Sequence, residues 1–309
     1  MFLHILTIIA RTVDFAGIAA LIARRHSPFL YSGDLDMWAP LLKNPYKWGA
    51  VLLVTLLALI VVGTMPRIPQ DVAYHAFGDH RYLLGISNFW NVVSNLPFVI
   101  VGWLGLRECR RQTSGHTPPG FVMQELPWAG AAFFAGVLLT GLGSGYYHFE
   151  PTNQSLIWDR LPMTISFMAF FSIIIGCHAD LSAARLSLWP LLILGIASVV
   201  YWSYTEGQGA GDLRAYVIVQ FLPILLIPIL VKGSGSLAFQ GHVIWKVLGL
   251  YVLAKVLEHW DHAIYALLHF EMAGHAIKHA AAAMATYVVL LEIKDGWTAF
   301  PQQSAISGH

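Results

Sequence analysis

Long apolar blocks alternate along the chain with short connections rich in proline, glycine or charge, and nine such blocks fall near residues 3–23, 48–65, 86–106, 128–148, 156–177, 186–204, 213–231, 243–266 and 274–293. Each approaches the ~20 residues a helix needs to cross a bilayer's hydrocarbon. None shows the period-two alternation of a membrane barrel strand. The pattern predicts an all-α fold, a polytopic membrane helix bundle. The first block lacks a basic leading region, carries Arg11 and Asp14, and runs into Arg24 and Arg25 instead of a small-residue cleavage site. It fits a cleaved signal peptide poorly.

Composition agrees with the pattern. Of 309 residues, 57% are hydrophobic and only 11% charged, and the mean hydropathy is +0.61. That is too little charge to coat a soluble globule of this size. A net charge of +1 leaves no nucleic-acid footprint, and no protein partner is evident. The bilayer is the expected surroundings. Cys109 and Cys177 are the only cysteines, too few for a disulfide framework or a cysteine-rich metal site, and no role is assigned to them. Lysine and arginine in the connections divide unevenly: one side holds eleven, the other only Arg67, Arg81 and Arg214. The richer side is expected to be cytoplasmic, which places the C-terminus there too. Sparse loops suggest a bacterial inner membrane. The connection from Pro66 to Gly85 is long for a compact bundle, and long loops are often functional.

Polar groups inside the blocks are costly in a membrane and default to functional candidates. Here they gather. Asn88, Asn91, Ser94 and Asn95 open the third block, Ser144 and His148 close the fourth, and Asp159 and Arg160 open the fifth. Glu258, Asp261 and His262 close the eighth, and His275 and His279 open the ninth. Successive helices run in opposite directions, so all of these groups are expected at one face, the non-cytoplasmic one.

His275 and His279 are four apart and share a helix face, so both can address one ion. His148 can join them, with Ser144 one turn deeper. Three histidines with an open fourth position suit catalytic zinc, which lowers the pKa of a bound water towards ~7. Asp159 is placed to take that water's proton, and Ser144 to hydrogen-bond an oxyanion. Plainer readings stand beside these. Ser144 lies in a glycine-rich segment of the kind that serves helix packing, and Asp159 with Arg160 could form an ion pair at a helix N-terminus. For His75, His80, His259 and His269 an interfacial or hydrogen-bonded role is the better reading. Lys255, Glu258, Asp261 and His262 form one stripe of a single helix. That stripe is either a salt-bridge network or a support for the metal-binding histidines, with Asp261 best placed to accept an imidazole N–H. The asparagines and Ser94 are expected to cross-link helices.

Three segments carry a resemblance to a known family. They are Asn88-Phe89-Trp90-Asn91-Val92-Val93-Ser94-Asn95, then Gly143 to His148 continuing to Trp158-Asp159-Arg160-Leu161-Pro162-Met163, and finally Gly274-His275-Ala276-Ile277-Lys278-His279. Together they resemble the alkaline ceramidases, membrane zinc hydrolases of the superfamily that includes the progestin and adiponectin receptors. The resemblance spans roughly residues 75–293. It divides the chain into additional N-terminal helices over 1–70, a seven-helix core over 71–295 and a polar tail over 296–309. It implies zinc on His148, His275 and His279, water activation by Asp159, Ser144 at the oxyanion, and a lipid substrate with a long acyl chain, ceramide in the named members. Animal members also bind calcium through an acidic cluster that includes a glutamate just before the Phe-Trp-Asn segment. Asn88 stands at that position and Asp71 and Asp79 are the only nearby acids before it, so a calcium site of that kind is not expected.

Two other classes compete with the hydrolase. A lipid receptor or sensor with a structural zinc would share the fold, although no large cytoplasmic partner-binding region is evident. A proton- or ion-coupled transporter could use Asp159, Glu258 and Asp261 as a relay, but these acids sit at one face and form no path across.

Overall fold

A computed structural model describes residues 45–114, 122–236 and 239–294. The predicted helix over 3–23 and the polar tail from 296 lie outside them. Within the described residues the chain is helical, and seven helices are long and apolar enough to cross a membrane. The protein is an integral, multi-pass membrane protein.

In chain order the helices are α1 (Pro45–Thr64), α2 (Phe89–Val93), α3 (Leu96–Thr113), α4 (Val122–Glu125), α5 (Pro127–Phe149) and α6 (Asn153–His178). There follow α7 (Leu181–Gly207), α8 (Arg214–Val231), α9 (Gly241–His259), α10 (Asp261–Leu267) and α11 (Gly274–Lys294). A short 3-10 turn, Val72–His75, interrupts the long first connection. Local signals set several of the boundaries. The Thr152 hydroxyl accepts from the Ser155 amide and Ser155 reaches back, a reciprocal cap that starts α6 just after Pro151. Asp180 caps α7 with its side chain alone, which accepts from the Ala183 amide. Helix α9 reaches membrane length but carries Lys246, Lys255 and Glu258, and these look inward or toward its ends.

Two predicted helices differ from expectation. The block at 86–106 is extended to Thr113 and is divided at Ser94 and Asn95 into α2 and α3. The block at 243–266 breaks at Trp260, whose backbone leaves the helical range (φ −100°, ψ 26°). Asp261 therefore starts a new helix instead of continuing the Lys255–Glu258 stripe.

Helix α6 runs through the middle of the bundle and packs on α5, α7 and α8, while α11 packs on α9 and α3. The main apolar core joins Phe98, Phe134, Ile173, Leu230, Ile244 and Leu290 from these helices. Helix α1 has no buried residue and lies on the outside against α8. Its ends are tied: the Lys47 ammonium donates to the carbonyls of His178 (3.1 Å) and Leu230 (2.8 Å), and Arg214 donates to the Met65 carbonyl (2.8 Å). Large apolar side chains remain on the exterior of every long helix, for example Leu56, Ile100, Leu142, Ile193, Leu225 and Leu291. Such a continuous apolar coat is stable against lipid and not against water. Trp158 and Tyr201 are exposed near helix ends, as interfacial aromatics should be.

The alternation of helix directions brings the polar openings and closings to one end of the bundle. Contacts there link α2 to α5, α2 to α11, and α10 to α11. The opposite end carries the α3 C-terminal arginines, with Arg111 paired to Glu108 (2.6 Å).

Candidate metal centre

His148 sits in the last turn of α5, and His275 and His279 in the first turns of α11. Packing closes the gap between them. The three rings have centroid separations of 4.7, 4.9 and 5.1 Å, and one ligand nitrogen from each lies within 4.8 Å of the others. All three are buried, at 1%, 4% and 4% exposure. The Nε2 atoms of His148 and His275 are 3.3 Å apart. Two nitrogens on one tetrahedral zinc stand about 3.3 Å apart, given Zn–N distances of about 2.0–2.1 Å. The Nδ1 of His148 is buried and has no hydrogen-bond partner. Three buried imidazoles whose ring nitrogens converge, with Nε2 of His148 facing Nε2 of His275, fit a metal ion such as zinc.

The surroundings fix those rings. His279 Nδ1 lies 2.8 Å from the Ser94 hydroxyl, which is itself 3.2 Å from the Asn91 carbonyl. With Nδ1–H donating to Ser94 and Ser94 donating to Asn91, the Nε2 lone pair of His279 is left facing its two partners. Ser94 thus reaches further than the helix cross-link expected of it. Phe77, from the long first connection, lays its ring 4.7 Å from both His148 and His275. Asn88 donates to the His148 carbonyl (2.9 Å).

Asp261 acts elsewhere than expected. Its Oδ1 accepts from the His275 backbone amide (2.6 Å) and its Oδ2 from the Gly78 amide (2.7 Å), so it holds the start of α11 and the long connection and not an imidazole. Gly274 is required at that junction, since a side chain there would meet the Leu257 carbonyl and the Asp261 backbone. Lys255 and Lys278 both pair with Glu258, at 2.6 and 2.7 Å, and the Tyr74 hydroxyl donates to the same carboxylate (3.1 Å). This is the salt-bridge reading of the stripe, with Lys278 of α11 added. His262 contacts the Ala76 carbonyl (2.9 Å).

Ser144 and Asp159 are both buried and line one cavity of about 330 Å³ together with His279. The two side chains come to that cavity from α5 and α6. Their closeness depends on Gly143, where a Cβ would collide with the Trp158 carbonyl; without that glycine α5 and α6 could not approach so closely. Away from this polar end, Phe133, Phe170, Ile227, Val247 and Val289 make the cavity wall apolar. Asp159 and Phe170 are eleven residues apart on α6, so the cavity follows the helix for about 16 Å at 1.5 Å per residue.

Arg160 does not pair with Asp159: among the described residues its ion-pair distance contains no carboxylate. His75 is held between the Tyr147 hydroxyl (2.9 Å) and Asn153 (2.8 Å), the hydrogen-bonded role expected of a lone histidine. His259 lies edge-on to Trp260. Cys109 and Cys177 are both buried free thiols. In the long connection, Asp79 is buried yet pairs with Arg81 (2.6 Å). Burial pushes its carboxyl up, but the Arg81 hydrogen bonds and charge outweigh that and hold it below the usual range.

The fold and site together define a multi-pass membrane protein with a buried three-histidine centre, one member of which, His279, lines a largely apolar cavity. The ceramidase family model matches residues 79–295, and the chain belongs to the ceramidase family. Membership implies a hydrolase. No curated protein and no solved structure matched the chain.

Proposed function

We propose that the protein is a zinc-dependent membrane amidase that cleaves the N-acyl amide of ceramide or a related lipid into a fatty acid and an amine. The observation that carries this reading is the cluster of His148, His275 and His279, of which His279 lines a largely apolar cavity together with Asp159 and Ser144. His148, His275 and His279 would hold the zinc, which supplies a Lewis acid that polarises a carbonyl and acidifies water.

The chain's own groups provide the rest. The apolar wall takes the acyl chain, which leaves the amide at the polar end. Asp159 accepts a proton from the attacking water. The Ser144 hydroxyl donates to the oxygen that gains charge as the water oxygen bonds to the carbonyl carbon. Asp159 then returns the proton to the departing nitrogen as the C–N bond breaks, so one water is consumed and both products are closed-shell. Ser94 keeps His279 in one tautomer throughout. Phe77 covers two of the histidines and limits access of bulk water, which strengthens each of these electrostatic contacts.

The Lys and Arg asymmetry supports placing this end at the non-cytoplasmic face and the C-terminus in the cytoplasm. The catalytic core would run over residues 71–295, with the helices before it an addition. Purified protein incubated with a panel of N-acyl lipids, with and without a chelator, tests the reading. Chelator-sensitive release of free amine is expected; absence of release from every lipid would overturn it.

A further inference from the structure

Arg160 is only 6% exposed, and an arginine cannot shed its charge to suit such surroundings. Its Nη2 donates to the Gln70 side chain (2.6 Å), and its guanidinium lies over the rings of Trp202 (4.4 Å), Tyr216 (4.9 Å) and Tyr74 (5.6 Å), with the Tyr216 hydroxyl beside it. All of these partners are neutral. Nη1 is buried with no hydrogen-bond partner. A buried cation without a counter-charge is costly, and aromatic faces offset that cost only in part.

The same residue lines the cavity shared by Ser144, Asp159 and His279. The other two cations of that wall, Lys255 and Lys278, are satisfied by Glu258. Arg160, Lys255 and Lys278 against Asp159 and Glu258 leave one positive charge over at the polar end, before any metal is added. Of these three cations Arg160 is the one with no carboxylate within ion-pair distance among the described residues, although Asp159 precedes it in the chain.

We propose that Arg160 is the specificity-determining residue for an acidic head group, so that the substrate is an N-acyl lipid whose amine portion carries a carboxylate or phosphate. This rests on the amidase reading. The acidic oxygens accept from Nη1 in the aromatic box, a charge-assisted bond in a dry site, while the acyl chain occupies the apolar wall. A residue that merely ties the long connection to α6 through Gln70 would influence all substrates alike.

The test compares palmitoyl amides that share the acyl chain: N-palmitoylglycine and a ceramide phosphate as the carboxylate and phosphate arms, and N-palmitoylethanolamine and ceramide as neutral controls. Wild type, Arg160→Lys and Arg160→Gln are assayed as zinc-loaded protein in detergent. The acidic-to-neutral ratio of kcat/KM should be at least about tenfold in the wild type, carried by KM, intermediate in Arg160→Lys and near one in Arg160→Gln. Each ratio is taken within one preparation, so a loss of folded protein cancels. A wild-type ratio near one, or a ratio unchanged in Arg160→Gln, overturns the proposal. Equilibrium binding of the same lipids, radiolabelled, to zinc-loaded Asp159→Asn separates the two readings. If no lipid is cleaved, the amidase reading fails, and the acidic-over-neutral binding preference, present or absent, still decides for or against Arg160.

Discussion

Replacing Ser94 with alanine removes one hydroxyl and leaves every proposed metal ligand in place. In the wild type, His279 Nδ1 and the Ser94 hydroxyl are 2.8 Å apart, and the serine passes its own proton toward the Asn91 carbonyl, 3.2 Å away. His279 is 4% exposed, so bulk water replaces the lost contact poorly. An unmatched buried N–H costs about 1–3 kcal/mol, and removal of a partner that orients a ligating histidine lowers metal affinity by about 10–100-fold. The two estimates agree, because tenfold corresponds to about 1.4 kcal/mol. The assay is competition for zinc against a chelator of known affinity in detergent, with Ser94→Thr as the variant that keeps a hydroxyl. Ser94→Ala should bind zinc about 10–100-fold more weakly and Ser94→Thr should recover part of the loss. Affinity within about twofold of wild type in Ser94→Ala would refute the proposed relay.

Asp159→Asn should keep its zinc and lose about 10²–10⁴-fold in turnover, the range for a removed general acid–base; turnover near wild type would assign proton transfer to another group. Gly143→Val should force α5 away from the Trp158 carbonyl and separate Ser144 from Asp159. Reduced thermal stability together with lost hydrolysis is the expected result, and a fully active, stable variant would contradict the close packing. Outside the membrane, Arg214 pulls the Asp212 carboxyl down to about 2, below its unfolded value of about 3.9. A depressed folded pKa stabilises above the unfolded pKa and is lost as pH falls toward the folded one. Thermal melts from pH 7 to pH 2.5 should therefore fall less steeply for Asp212→Asn than for wild type, and parallel curves would remove Asp212 from the acid response.

Most of the helices could be read from the chain because a span needs about 20 apolar residues and local caps such as Thr152 and Asp180 mark the starts. The break at Trp260 carries no proline or glycine to announce it. It is fixed by tertiary bonds from Asp261 to the amides of His275 and Gly78, groups far away in sequence. The centre shows the same division. The pair His275 and His279 follows from helical spacing, and the convergence of polar helix ends brings His148 toward it. Ser94 as the partner of His279 and Phe77 as the cover over His148 were not legible, because a lone serine or phenylalanine carries no chemistry until its neighbours are known. Arg160 beside Asp159 invites an ion-pair reading from sequence. Its aromatic box comes from Tyr74, Trp202 and Tyr216 on three separate segments, a grouping that only packing reveals. The helix cross-link expected of Asn88 is present, since its side chain ties the α5 terminus beneath His148, but its left-handed backbone (φ 49°) places it before α2 and not within the predicted helix.

The proposed chemistry requires the three histidines to act as one metal centre. Metal content measured by elemental analysis on purified wild type and His275→Ala, prepared side by side without added chelator, tests that claim most directly. About one zinc per wild-type chain and close to none in His275→Ala is the predicted result, with hydrolysis lost in parallel. Zinc retained at the wild-type level in His275→Ala, or a wild-type protein that hydrolyses lipid without bound metal, would contradict it.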